Sequence, residues 1–409
     1  MTFLPFSYII RGMDNAEVVI IGGGAAGLTA ALALNKKTIV LERGERVGRK
    51  LSATGNGQGN VGNLDINESR YFTFGERRLI SSCMQKLPQA EILAFFEKLG
   101  FMFCADERGR LYPASKQASS ITDLIRYRLE KDQNKKIITG AFVTDITKKG
   151  EYFIVTAVSD GEKIMFSAKN VILCAGGKAA KNFGSDGNGY LLARKFGHAA
   201  TNLFPSLVQL KTETKDIKTL KGQRVGAVVT AYCDNKQIAR EKGDVIFTDY
   251  GVSGDAVFRI SAFVCDKIEQ NITLSLDLMP DCQTEKLVSV LCERTANKAI
   301  PAGEILCGIL PNTLGRAVIK RTGNQNPVAV AQTIKNFTLK VTGTAGFDYA
   351  QVTKGGIRLS EVSADMQSKK CPGLYFAGEI LDVDGQCGGY NLQWAFSSAL
   401  TAAESINND

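Results

Sequence analysis

Val18-Val19-Ile20-Ile21-Gly22-Gly23-Gly24-Ala25-Ala26-Gly27-Leu28-Thr29-Ala30-Ala31-Leu32-Ala33 is the stretch from which the fold is read. The four β-branched residues suit a strand buried on both faces, and the alanine- and leucine-rich segment after Gly27 consists of strong helix formers. Thr38-Ile39-Val40-Leu41 supplies a second apolar strand. Strand, helix and strand in this order make a βαβ unit, whose crossover is right-handed in nearly all proteins. The glycines between the first strand and the helix fill a GxGxxG pattern. Gly22 permits the sharp turn, Gly24 lets a diphosphate approach the backbone, and Gly27 lets helix and strand pack closely. The N–H groups at Ala25 and Ala26 open the helix, where its dipole favours an anion. Glu42, 20 positions after Gly22 and at the end of the second strand, is placed to accept hydrogen bonds from ribose hydroxyls. These residues read as an α/β, Rossmann-like dinucleotide-binding domain.

The segment after Glu42 separates the possible dinucleotides. Arg43-Gly44-Glu45-Arg46-Val47-Gly48-Arg49-Lys50 leads into Ala53-Thr54-Gly55-Asn56-Gly57-Gln58-Gly59-Asn60-Val61-Gly62-Asn63, a polar and glycine-dense loop. An NAD-binding fold needs no such loop there, whereas a flavin dinucleotide must be followed along its ribityl chain towards the ring. Glycines at 48, 55 and 57 allow close backbone approach, Thr54, Asn56 and Asn60 offer polar contacts, and Arg49 or Lys50 can neutralise phosphate charge. At the far end, Gly378-Glu379 follows the apolar strand Gly373 to Ala377, and Asp382-Val383-Asp384-Gly385-Gln386-Cys387-Gly388-Gly389-Tyr390-Asn391-Leu392-Gln393 runs into a final helix. A carboxylate at Glu379 can accept from ribityl hydroxyls. A helix starting near Gly389 aims N–H groups at flavin atoms that become negative on two-electron reduction.

Between these ends the periodicity changes twice. Residues 76–132 carry helical stripes, including Ile92, Phe96 and Leu99, then Ile121, Ile125 and Leu129. Short apolar runs between 137 and 175 are separated by polar turns such as Lys149-Gly150, which reads as a β-meander ending at Ala175-Gly176-Gly177. From about 200 to 345 the chain is more polar and reads as an insertion with its own β core. The expected organisation is an extension over 1–14, a discontinuous domain over 15–198 and 346–409, and an inserted domain over 199–345.

Composition bounds the function. Lysine and arginine number 50 against 41 acidic residues, giving +9. The excess is dispersed, which reads as solvated surface and argues against a nucleic-acid footprint. No stretch is long and apolar enough to read as a membrane span. The one histidine, His198, rules out a multi-His zinc site and leaves little room for a Ser-His-Asp hydrolase. Following Gly197 at the end of a helical run, it reads as a helix C-terminal cation. The ten cysteines contain no Cys-x-x-Cys pair. With no secretory signal, they read as reduced thiols of a cytoplasmic protein without a metal site.

The glycine turn with Glu42, the loop from Gly48 to Asn63, Thr353-Lys354-Gly355-Gly356 and above all the run from Gly373 to Gln393 resemble the YhiN-like flavoproteins, also called the BaiN type. The similarity covers nearly the whole chain. It implies non-covalent FAD, a three-layer Rossmann-like domain in two chain segments, and an inserted β-barrel with a small helical subdomain. By position it places Ala26, Glu42 and Val143 near the ADP part, and Glu379, Asn391 and Leu392 near the ribityl chain and isoalloxazine. Family activities are reduction of conjugated C=C bonds in 3-oxo bile acids and oxidation of aminoacetone. Many relatives carry Arg-Cys where this chain has Gln58-Gly59, so any side-chain chemistry of that pair is absent.

A second full GxGxxG is missing, since Ala175-Gly176-Gly177 reads as returning beside the first dinucleotide. An NAD(P)H donor therefore has to bind transiently in the substrate cleft. Cys387 and Tyr390 flank the glycines expected to face the flavin and are the candidates for positioning a carbonyl or relaying a proton. Lys354 reads as a solvated turn charge. The leading expectation is an FAD-dependent oxidoreductase that reduces an activated C=C bond of a small apolar oxo-compound with NAD(P)H. The alternative is a flavin oxidase of a small amine that releases hydrogen peroxide.

Overall fold

The computed structural model describes residues 10–297 and 299–409. They form two compact units, one reaching to Leu203 and resuming at Val352–Asp409, the other Phe204–Gln351. The first unit is built on a five-stranded parallel sheet. Its elements are β1 (Val18–Ile21), α1 (Ala25–Ala33), β2 (Thr38–Leu41), α2 (Ala118–Lys131), β3 (Lys135–Ile138), β4 (Asn170–Leu173), β5 (Leu374–Phe376) and α3 (Tyr390–Asn408). The strand order is β5-β4-β1-β2-β3. β1 lies between β4 and β2 with Val18 opposite both Asn170 and Thr38. A strand so enclosed has no solvent face, which explains why Val18, Val19 and Ile20 are fully buried.

α1 and α3 pack together on this sheet. The sequence reading begins and ends on these two helices, and the sheet unites them because β5, the last of its strands in sequence, pairs with β4 in the register Val171 to Leu374. A second sheet forms another layer, a meander of Phe142–Lys149, Tyr152–Ser159 and Glu162–Ala168. Ile10–Asn15, within the segment expected to be an extension, pairs in parallel with its edge strand, and residues 1–9 lie outside the described residues.

The second unit is a closed barrel of Leu210–Thr212, Gly251–Ser253, Lys236–Phe247, Arg224–Cys233, Ile272–Asp277 and Phe337–Thr344 in that order around the wall. Val229, Leu274, Leu276 and Phe337 are among the buried residues of its core. Closure leaves no edge strand to pair with another chain. The helices Thr284–Ala296, Asn312–Thr322 and Pro327–Lys335 form the helical part.

Three expectations are corrected here. The helical stretch over 76–132 is broken by an antiparallel pair, Phe103–Ala105 with Arg110–Pro113, joined through the left-handed Gly109 at φ 72°. Lys135–Ile138 belongs to the parallel sheet and not to the meander, because its register partner is Thr38–Leu41. His198 is no exposed helix-end cation. It is 3% exposed, within hydrogen-bond distance of Glu361 (3.0 Å) and Ser368 (2.7 Å), with its ring edge-on to Phe376. Burial pushes its pKa below the usual histidine value, against the opposing pull of Glu361.

A Cβ at Gly27 would lie 1.9 Å from the carbonyl oxygen of Gly22, so Gly27→Ala must push α1 away from the turn. The expected cost is about 1–3 kcal/mol, or roughly 2–4 °C of Tm per kcal/mol. A melting curve of the apoprotein checks this, and an unchanged Tm would mean that the helix has room to spare.

Candidate flavin site

The six-residue glycine turn divides its labour unequally. Gly22 stands at φ 109° with its would-be Cβ 2.4 Å from the Cys174 carbonyl oxygen, so β1 and β4 meet there. Gly24 differs, because a Cβ built on it meets nothing within 4 Å. It also caps α1 without any side-chain hydrogen bond. The N–H groups at Ala25 and Ala26 thus open the helix beside vacant space, where an anion would be favoured. Glu42 locks the turn from the end of β2. Its Oε2 accepts from Gly23 N–H at 2.8 Å and its Oε1 from Gly44 N–H at 2.7 Å. Each carboxylate oxygen keeps a further lone pair for a hydroxyl donor.

The loop after β2 is built structure. Gly48, left-handed at φ 70°, caps a short helix Arg49–Ser52, and Gly48 N–H donates to Gly23 O at 2.8 Å. Thr54–Gly57 follows as a tight turn, with Gly55 and Asn56 both left-handed, at φ 58° and 54°. The Thr54 hydroxyl donates to Leu51 O, and Asn60 Nδ2 donates to Gly62 O and Leu111 O, so these two side chains shape the loop itself. Gly57 has open space around it. The loop ends against the terminal helix: Asn63 Nδ2 donates to Gly388 O at 3.1 Å, and a Cβ at Gly389 would lie 2.2 Å from Gly62 O.

The charged residues of this region are committed to one another. Lys50 Nζ lies 2.6 Å from Glu379 Oε2, and Glu379 Oε1 accepts from Thr353 N–H at 2.9 Å. Arg43 pairs with Asp186 at 2.6 Å, and Arg49 donates to Asn182 O at 2.7 Å. Asp186 opens the turn into the helix that carries Asn188, whose Nδ2 donates to the carbonyl of Val143. Ala175 and Gly176 follow β4 directly, with Gly176 left-handed at φ 71° and its would-be Cβ 3.0 Å from Ser185 Oγ.

At the far end, Gly378 is left-handed at φ 80°, donates its N–H to Ser398 Oγ, and leaves 2.9 Å between its would-be Cβ and Ala26 Cβ. This contact joins the start of α1 to the strand end before α3. Gly389, at φ 98°, caps α3 without a side-chain hydrogen bond. The Asn391 side chain does not reach outward, because Oδ1 accepts from Gly385 N–H and Nδ2 donates to Gly385 O, each at 2.8 Å. Leu392 packs against the core. What Asn391 and Leu392 can offer a ligand is therefore backbone N–H at the helix start. Tyr390 is buried, edge-on to Tyr71, with the Arg70 guanidinium 5.9 Å from its ring centre. Burial raises its hydroxyl above the usual tyrosine range. Cys387 is half-buried, and all ten cysteines are free thiols.

Sequence reasoning passed over several buried polar groups. Lys354 is not a solvated turn charge: it is 6% exposed, with Nζ 5.0 Å from the Phe72 ring centre. Asp382 is 1% exposed; Oδ2 accepts from Thr73 Oγ1 and Phe74 N–H, while Oδ1 is buried with no protein hydrogen bond. Burial pushes its pKa up to about 6. The hydroxyl of Tyr190 is likewise buried and without a protein partner, and burial, with the nearby Glu379 and Asp382 carboxylates, raises it. Alternating apolar neighbours make such residues look like core positions, so nothing in the sequence separates them. Among the described residues there is no cluster that could hold a metal ion and no helix long and apolar enough to cross a membrane.

Residues 16–405 match the HI0933-like protein Rossmann domain. The chain belongs to this family. A 3-dehydro-bile acid delta(4,6)-reductase of Clostridium scindens is 34% identical over 94% of this chain and 98% of that protein. A ribosomal RNA dihydrouridine synthase of Escherichia coli is 28% identical over 96% of this chain and 98% of its own length. Among solved structures, the 3-ketosteroid-delta4-(5alpha)-dehydrogenase of Rhodococcus jostii RHA1 superposes with a TM-score of 0.55 at 16% identity, covering 98% of each chain. The fold is that of a Rossmann-type FAD flavoenzyme, and this HI0933-like chain is an FAD-dependent oxidoreductase.

The buried Asp382 gives a stability test. Its folded pKa lies above the unfolded value of 3.8, so its contribution to stability is fully present below about pH 4 and is lost as pH rises through about 6. The displacement corresponds to about 3 kcal/mol. Asp382→Asn should flatten that part of the unfolding free-energy profile of the apoprotein between pH 4 and 7. Parallel profiles for both proteins would show that Asp382 titrates normally.

Proposed function

We propose that this enzyme reduces a C=C bond conjugated to a carbonyl group, with NAD(P)H as the ultimate donor. The observation that carries the proposal is the pair of uncapped helix starts, Gly24 of α1 and Gly389 of α3, on two helices held together through Ala26 and Gly378. One is suited to a diphosphate, the other to a ring that gains negative charge. The named relatives support the reaction type, since a delta(4,6)-reductase acting on a 3-dehydro bile acid and a synthase of dihydrouridine both saturate a double bond next to a carbonyl.

In this reading Gly22, Gly24 and Gly27, with the N–H groups of Ala25 and Ala26, hold the diphosphate of FAD. Glu42 takes the adenosine ribose hydroxyls, with Arg43 and Val143 beside it. Gly48 to Asn60 and Gly176 would line the ribityl path, where Glu379 is paired with Lys50. The starting N–H groups of α3, from Gly389 to Leu392, face the ring and stabilise negative charge on it. Bound there, FAD supplies the two-electron hydride chemistry that no amino-acid side chain provides. The reduction needs a hydride at the β-carbon and a proton at the α-carbon of the substrate. Tyr390, the first residue of α3, and Cys387, three positions earlier, are the candidate protic side chains for that proton.

The substrate is best read as a small apolar oxo-compound of the bile-acid or steroid kind, because the bile-acid reductase is the more similar of the two relatives described. The synthase supports a second substrate for the same reaction, a uridine in RNA. Anaerobic mixing with NADH or NADPH should bleach the flavin, and a 3-oxo-Δ4 steroid should then restore the oxidised spectrum with saturated product. Reoxidation by a uridine-containing rRNA fragment instead would assign the second substrate. Peroxide release on adding aminoacetone in air, with no bleaching by either nicotinamide, would overturn the reductase reading in favour of an amine oxidase.

A further inference from the structure

A cavity of about 180 Å³ opens beside α3, lined by Ile66, Tyr71, Met84, Leu87, Gln393 and Trp394, with Gln89 and Ser397 adding polar groups. Small-molecule sites are mostly apolar with a few polar groups that fix orientation, and a space of this size suits only a compact ligand. Nearly every polar side chain here is already spent on the protein. The Tyr71 hydroxyl donates to Tyr390 O at 3.2 Å, Gln89 Nε2 donates to Asn63 O, and Ser397 Oγ lies 2.9 Å from Cys83 Sγ. The Trp394 indole donates to Gly378 O at 3.3 Å.

Gln393 is the exception. It is 4% exposed, it lines the cavity, and among the described residues its side-chain amide makes no hydrogen bond. An amide that faces a cavity and has no protein partner is available to exchange water for a ligand's polar group. Its backbone holds it one turn along α3 from Gly389, with Gln393 N–H donating to Gly389 O at 3.0 Å. We propose that this cavity binds a compact apolar molecule bearing one carbonyl or amide group, which Gln393 recognises through its amide. The apolar walls take the body of the ligand and Gln393 Nε2 donates to its oxygen. The site is separate from the residues assigned to FAD and does not depend on which reaction they serve.

Trp394 is the single tryptophan of the chain, so holoprotein labelled with 5-fluorotryptophan gives one fluorine resonance, placed in the cavity wall. Titration with 1-indanone, and with indane as its carbonyl-free counterpart, should give saturable shifts, with indanone bound roughly five-fold more tightly. Gln393→Leu should bring the two probes to equal affinity. Met84→Phe, which fills part of the space, should weaken both by roughly ten-fold and decides the question even if the Gln393 variant does not fold. A resonance that does not move, a shift that never saturates, binding indifferent to Met84→Phe, or a carbonyl preference that survives Gln393→Leu would each overturn the proposal.

Discussion

The contact on which the rest of the first unit depends is the approach of Gly378 to Ala26. With a side chain at 378, the strand end before α3 could not come within van der Waals distance of the start of α1, since even a Cβ there would stand 2.9 Å from that of Ala26. Gly389 repeats the device against Gly62, this time drawing the glycine-rich loop onto α3. Each contact is a backbone made bare so that another backbone or a methyl group can approach. Because interiors pack at crystal density, one extra carbon at such a point moves a whole element. Gly378 and Gly389 thus stand where chain segments far apart in sequence must touch. Two helix starts are consequently held on a common scaffold, each with N–H groups that no side chain claims.

The parallel sheet and the glycine turn were legible because their signals are local. Val18 to Ala33 combines a buried strand, a turn and a helix in one uninterrupted reading, and Thr38 to Leu41 completes it. The final helix was legible for the same reason, its start marked by Gly388-Gly389. The pair Phe103–Ala105 and Arg110–Pro113 was not, since each strand is only three or four residues long and lies between genuine helices. Lys135–Ile138 was placed in the wrong sheet because its apolar pattern does not say which neighbour it pairs with. Only the parallel register with Thr38–Leu41 decides that.

The site divides along the same line. Positions in left-handed backbone, such as Gly22, Gly48 and Gly389, are marked in the sequence, because glycine is the residue those conformations demand. Side chains were harder. Asn60 reads in the sequence as a polar contact and Asn391 is placed near the flavin by resemblance, yet both spend their amides holding neighbouring backbone in place. Lys50 could be seen as a cation but not as the partner of Glu379, which lies 329 positions away. His198 illustrates the reverse error, because a helix-end position in sequence turned out to be packed against Glu361, Ser368 and Phe376 from a different part of the chain.

Two relatives with the same reaction type and dissimilar substrates, a bile acid and a ribosomal RNA, constrain how this scaffold can be specialised. Fold does not fix function, which resides in sites placed upon it. The parts that would serve the electron transfer are backbone donors and a half-buried Lys50–Glu379 pair. Side chains with no protein partner are different, since an unmet hydrogen bond in a buried position persists only where something else supplies it. The Tyr190 hydroxyl and Asp382 Oδ1 are two such groups in the first unit. A chemistry held in backbone geometry and a recognition held in a few unsatisfied side chains can change independently of one another. Substitution at the second set then alters what is bound without disturbing the glycine contacts on which the first depends.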